Sequence, residues 1–152
     1  MRTTVKRLWP MAVFSAASIF GNAWAQPQTT AETGLGQSWP HTFDISASPH
    51  WHVYAFENGG IRYIQINDLN GTVRGAFASA NGQFLVLPMG LDSQQISTPQ
   101  QSIGLPSIVT GTVWTEVVYQ DTSVVITVTL STHGTIIWDI CEPAECSTHK
   151  PS

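Results

Sequence analysis

The stretch from Glu57 to Gly90, ENGGIRYIQINDLNGTVRGAFASANGQFLVLPMG, sets three Gly-bearing turns between short runs of β-branched and aromatic residues at a nearly even pitch. Asn58-Gly59-Gly60, Asp68-Leu69-Asn70-Gly71 and Asn81-Gly82 supply residues that tolerate positive φ, which tight hairpin turns require. The stretch reads as a β-meander, and its turns imply a register. A loop centred on Leu69-Asn70 sets Ile66 opposite Val73, Ile64 opposite Gly75 and Arg62 opposite Phe77. Asn81-Gly82 as a two-residue turn sets Phe77 opposite Val86 and Ser79 opposite Phe84. Ile64, Ile66, Val73, Phe77, Phe84 and Val86 then share one buried face. Ala76, Ala78, Leu85 and Leu87 form a second apolar face on the same strands, which calls for a second layer or a partner. Gly75, inside a strand, marks a bulge or a neighbouring ring lying over the backbone.

Upstream, Trp51 to Glu57 reads as a further strand, and Thr42-Phe43-Asp44-Ile45 as a short edge strand. A three-residue loop at Asn58-Gly59-Gly60 would place His52 on the core face, opposite Ile66. Downstream, Met89 to Thr110 is rich in Gln, Ser and Pro and should cross from one sheet to another. A second meander follows, from Gly111 to Gln120, Val124 to Ser131 and Thr135 to Ile140. A turn at Asp121-Thr122 sets Val113, Val117 and Tyr119 against Leu130, Ile126 and Val124. A hairpin closed by Thr132-His133-Gly134 sets Leu130, Val128 and Ile126 against Ile136, Trp138 and Ile140. The pattern predicts an all-β domain, an antiparallel meander sandwich of about seven strands in groups of four and three, with a small closed β-barrel as the alternative.

The N-terminus carries Arg2, Lys6 and Arg7, the apolar run from Met11 to Phe20, and the small-residue pattern Ala23-Trp24-Ala25. This has the layout of a secretory signal peptide over residues 1–25, and the run is shorter than the roughly 20 residues of a spanning helix. Residues 26–49 are poor in large apolar side chains and read as a flexible lead-in, residues 50–146 as a single β domain, and residues 147–152 as a frayed tail. After cleavage 127 residues remain, with three basic side chains, Arg62, Arg74 and Lys150, against ten acidic ones, a formal charge of −7. That balance argues against nucleic acid and against an anionic membrane surface as partners. No membrane span is expected after cleavage, and the expected location is periplasmic or secreted.

Cys141 and Cys146 bracket Cys-Glu-Pro-Ala-Glu-Cys, and in an exported chain such a pair is expected as a disulfide that pins a loop. Over these six residues the loop resembles the disulfide-closed loop with which one family of periplasmic lysozyme inhibitors plugs its enzyme's cleft. Cys141, Pro143 and Cys146 match that loop, whereas Ala144 and Glu145 stand where the family has histidine and aspartate. The resemblance implies that a rigid loop carrying Glu142, Pro143 and Glu145 can serve binding.

His50 and His52 sit at alternate positions of a strand, so both can project to one side and bind a metal ion. Ser, His and Asp are all present, yet there is no Gly-x-Ser-x-Gly elbow, His-Glu-x-x-His run or P-loop. Asn70-Gly71-Thr72 fits a glycosylation sequon, which its role as a turn already explains. Among Trp39, Trp51, Tyr54, Trp114 and Trp138, Trp51 and Trp114 fall opposite the apolar sets of their strands and are the expected surface aromatics. The sequence favours an exported binding protein with no catalytic site and no cofactor, whose partner is a protein or an envelope component. A metal-binding protein using His50 and His52 and a small envelope hydrolase are the rivals.

Overall fold

The structure, a computed structural model, describes residues 34–103 and 112–146; the expected signal peptide, the start of the lead-in and the tail after Cys146 lie outside them. Among the described residues eight strands form two four-stranded sheets. Sheet A holds β1 (Trp51–Asn58), β2 (Ile61–Asp68), β3 (Val73–Ala80) and β4 (Gln83–Val86) in sequence order. Sheet B has the order β5-β8-β7-β6, from β5 (Ile96–Ser97), β6 (Thr112–Gln120), β7 (Val125–Ser131) and β8 (Ile136–Cys141). The architecture is a β-sandwich and not the closed barrel of the alternative reading. Its core joins Val53, Ile64, Ile66, Phe77 and Phe84 of sheet A to Val118, Ile126, Val128, Trp138 and Ile140 of sheet B, with Ile96 and Val124.

The first hairpin turns on two residues, not three. Gly59 and Gly60 have φ of +60° and +79°, the signs a type I′ turn requires, and Asn58 pairs with Ile61. Side chains alternate along a strand, so the difference of one residue reverses every position of β1. Val53 pairs with Ile66, and His52 pairs with Asn67 on the outer face instead of facing Ile66 in the core. Trp51 therefore points inward.

The second hairpin carries a bulge. Asn67 pairs with Val73 but Ile66 pairs with Gly75, so Arg74 is an extra residue. The rest of the ladder lies two residues from the expected register, with Ile64 opposite Phe77 and Arg62 opposite Ser79. A shift of two preserves the faces, so the predicted set survives except for Val73, which the bulge moves opposite the outer-face Asn67. Gly75 sits beside the bulge, and a Cβ there would lie 2.5 Å from Ile96 Cδ1, so an aliphatic side chain and not a ring crosses the backbone. The third hairpin has the expected register, with Asn81 and Gly82 at φ of +50° and +74° and Phe77 opposite Val86.

In sheet B, β7 and β8 pair as expected, Val128 with Trp138 and Ile126 with Ile140. The pairing of β6 differs. A shift between Val117 and Tyr119 sets Trp114 opposite Leu130 and Tyr119 opposite Ile126. Val118 is buried and Val117, expected in the core, is 44 % exposed. The crossing segment adds an eighth strand, since Ile96 and Ser97 pair in parallel with Trp138 and Asp139.

Among the described residues two polar ties centred on arginine join the sheets. Arg74 grips Asp92 through two bonds of 2.8 and 2.9 Å, and Asp92 Oδ2 also accepts the Trp138 indole N–H at 3.0 Å. At the other tie the Arg62 guanidinium meets Asp121 and donates to the Tyr119 hydroxyl at 2.9 Å, while that hydroxyl donates to Asp121. Burial raises the Asp121 carboxyl, but Arg62, the N–H groups of Ser123 and Val124 and the Tyr119 hydroxyl outweigh it and hold the group well below the usual carboxylate range.

Candidate functional site

Residues 34–44 form a strap across the outer face of sheet A. Gln65 and Asn67 of β2 point outward, and their pairing with strap backbone leaves both side chains with no solvent exposure. Gly36 N–H donates to Gln65 Oε1 at 2.6 Å, and Gln65 Nε2 donates to the Gln37 carbonyl and to Asn67 Oδ1, each at 2.8 Å. Asn67 Nδ2 donates to the Ser38 carbonyl at 2.8 Å. Composition alone reads residues 26–49 as a flexible lead-in, yet residues 36–38 are held by specific bonds. The specific bonds arise because two strand amides supply the partners that the strap backbone does not find in a ladder.

Beyond Ser38 the strap becomes aromatic. The Trp39 indole lies over the β2–β3 turn, where a Cβ on Gly71 would come within 2.8 Å of it, so glycine serves there both for its φ of +81° and for its lack of a side chain. Trp39 meets His52 edge-on with ring centroids 5.6 Å apart, and His52 lies 6.2 Å from the Tyr54 ring at an interplanar angle of 25°. Pro40 is buried, whereas Trp39 is 56 % and Phe43 88 % exposed.

Asp44 anchors the far end. Its Oδ1 accepts the N–H groups of Val53 at 2.9 Å and Ser46 at 3.0 Å, and its Oδ2 lies 2.6 Å from His52 Nδ1. Burial raises this carboxyl, and the bonds from His52, Val53 and Ser46 more than reverse that, so its pKa is lowered. Burial, together with the Asp44 charge, raises the Tyr54 phenol. The expected edge strand over residues 42–45 is reduced to a single bridge, Asp44 to Tyr54. Ala47 N–H then donates to the Val118 carbonyl, so the segment runs on from sheet A to the edge of sheet B.

The residues singled out from sequence are dispersed. His50 and His52 do not converge: His50 Nδ1 lies 3.2 Å from Glu116 Oε2 and His52 is turned to Asp44. Among the described residues no group of three or more His, Cys, Asp or Glu is placed to hold a metal ion, and neither imidazole is bonded to a serine hydroxyl. Trp51 and Trp114, expected at the surface, both pack against the core, because the two-residue first turn and the shifted β6 register turn them inward. Trp51 meets Trp138 there, and Trp114 meets His50.

Cys141 and Cys146 form the expected disulfide around the single helical turn α1 (Pro143–Cys146). The loop folds back on sheet A, since a Cβ on Gly82 would lie 2.6 Å from Glu142 Oε1. Glu142 and Pro143 are half-buried, and Glu145 is exposed. Sequence reasoning does not single out Gln65 and Asn67, which hold the strap. Their signal is two amides at alternate positions, set between and after Ile64 and Ile66, on the face of β2 opposite those isoleucines, which asks for hydrogen-bonding cover. No family model, no curated protein and no solved structure matches the chain.

Proposed function

We propose that the protein is an exported binding protein of the cell envelope, periplasmic or secreted, that engages a protein or an envelope component without catalysing a reaction. The observation that carries this reading is the pair of exposed aromatics on the strap, Trp39 against His52 on the outer side of sheet A and Phe43 beside Asp44. Large aromatic side chains left in water beside polar groups are the composition of contact surfaces. Leu69, in the turn whose Gly71 lies under Trp39, is also exposed. The disulfide belongs with an oxidising compartment. Among the described residues no helix is long and apolar enough to cross a membrane.

The test is affinity capture from an envelope extract with the chain as secreted and with a Trp39→Ala/Phe43→Ala double variant. A component retained by the first and reduced at least ten-fold by the second is the expected result. Equal retention by both would move the contact elsewhere.

A further inference from the structure

We propose that the outer face of sheet A over Gln65 and Asn67 is a peptide-binding site, filled by the chain's own residues 36–40 and able to take in their place an extended segment of another protein with the same pattern, small or polar residues followed by Trp-Pro. This rests on the reading of that face as the contact surface and gives its partner a chemistry.

The seat recognises main chain. Gln65 pairs in both directions, accepting from Gly36 N–H and donating to the Gln37 carbonyl, and Asn67 donates to the Ser38 carbonyl. The side chains of Gln37 and Ser38 lie in exposed positions, so these bonds place no demand on their identity. Selectivity comes from the next two residues. Trp39 needs the bare backbone of Gly71 beneath its ring, and Pro40 is buried. The arrangement is that of peptide recognition generally, in which main-chain bonds supply affinity and side-chain seats supply choice.

The seat is also reversible. The face is mixed: Gln65 and Asn67 exchange strap carbonyls for water at little net cost, whereas the buried Tyr54 and Ala76, the cross-strand neighbours of Gln65, favour a covered face, so an occupant is always preferred to none. The strap's largest apolar group, Trp39, is 56 % exposed, so its hold on the closed state comes from the part of the ring seated over Gly71, which Trp39→Ala removes. Beyond Pro40 the Thr42 hydroxyl donates to the Ala55 carbonyl at 3.5 Å, and Asp44 then holds the chain by accepting the N–H groups of Val53 and Ser46, bonds in which residues 36–40 take no part. The strap can therefore leave without unpicking β1.

The experiment is titration of a fluorescently labelled peptide of residues 34–42 against the chain as secreted, in its native form and as Trp39→Ala. Competition from the resident segment reduces apparent affinity by the fraction of closed molecules. The Trp39→Ala chain is expected to bind the peptide at least ten-fold more tightly than the native chain, and Trp39→Ala/Gln65→Met to lose that binding. Equal affinity of the native and Trp39→Ala chains, no binding to either, or binding that survives Gln65→Met would overturn the proposal. Native-state hydrogen exchange needs no variant: Gly36 N–H should exchange at least a hundred-fold faster than core amides such as Ile64, and equal protection of the two would show a strap that does not open. If capture from the envelope depends on Trp39 and Phe43 while the peptide fails to bind, the peptide assignment alone falls; if capture is also indifferent to them, the contact surface falls with it.

Discussion

Trp51 at the start of β1 meets Trp138 of β8 edge to face, with ring centroids 4.8 Å apart and planes at 79°. This contact ties sheet A to sheet B at one end of the core, and such ring pairs add roughly 0.5–1.5 kcal/mol beyond the area they bury. Among the described residues the Trp51 indole N–H has no hydrogen-bond partner. Trp51→Ala is expected to destabilise the protein by about 3 kcal/mol in equilibrium urea unfolding. Trp51→Phe keeps a ring and removes the unpaired donor, so its loss should stay below about 1.5 kcal/mol. Equal losses for the two would place Trp51 outside the core.

The Gly59-Gly60 turn determines which way β1 faces. Nothing lies within 4 Å of a Cβ built on Gly59, so a substitution there meets only the backbone preference set by its φ of +60°. Gly59→Val should cost about 1–2 kcal/mol, and Gly59→Asn, whose side chain tolerates the left-handed region, should cost much less. A pair of thermal denaturation curves separates the two.

Acid should weaken the fold through Asp44 and Asp121. Both carboxyls have pKa values lowered from an ordinary 3.8, so in that range the unfolded chain binds more protons than the folded one. Their contribution is complete above about pH 4 and is lost as pH falls through the lowered folded values. Chemical denaturation between pH 6 and pH 2 should show stability level at first and then declining. Asp121→Asn should be less stable at pH 6, by roughly 2–3 kcal/mol for the lost charge-assisted bonds, and should decline less steeply below pH 4.

The disulfide closes a ring between residues five apart, so reduction or a Cys141→Ser/Cys146→Ser pair should cost only about 2 kcal/mol. The far-ultraviolet circular dichroism of the sandwich should persist. Its collapse on reduction would give the loop a larger part in the fold than its size implies.

Turn chemistry made part of this architecture legible. Asn81-Gly82 admits one two-residue turn and Thr132-His133-Gly134 one short loop, so the registers of β3 with β4 and β7 with β8 follow from sequence. Asn58-Gly59-Gly60 admits two loop lengths, and the choice decided whether Trp51 or His52 entered the core. The extra residues at Arg74 and Val118 carry no local mark, because what selects them is a partner strand elsewhere in the chain. The strap is hidden for a similar reason: Gly36, Gln37 and Ser38 look like linker, and the amides that hold their backbone lie about thirty residues downstream.

We infer that contact is made through the strap over sheet A and not through the disulfide loop. Quantitative retention of a labelled envelope extract on the native chain, on Trp39→Ala/Phe43→Ala and on Glu142→Gln/Glu145→Gln tests it directly. Retention at least ten-fold lower for the first variant and unchanged for the second is the predicted result; loss through the glutamate variant with Trp39 and Phe43 dispensable would contradict it.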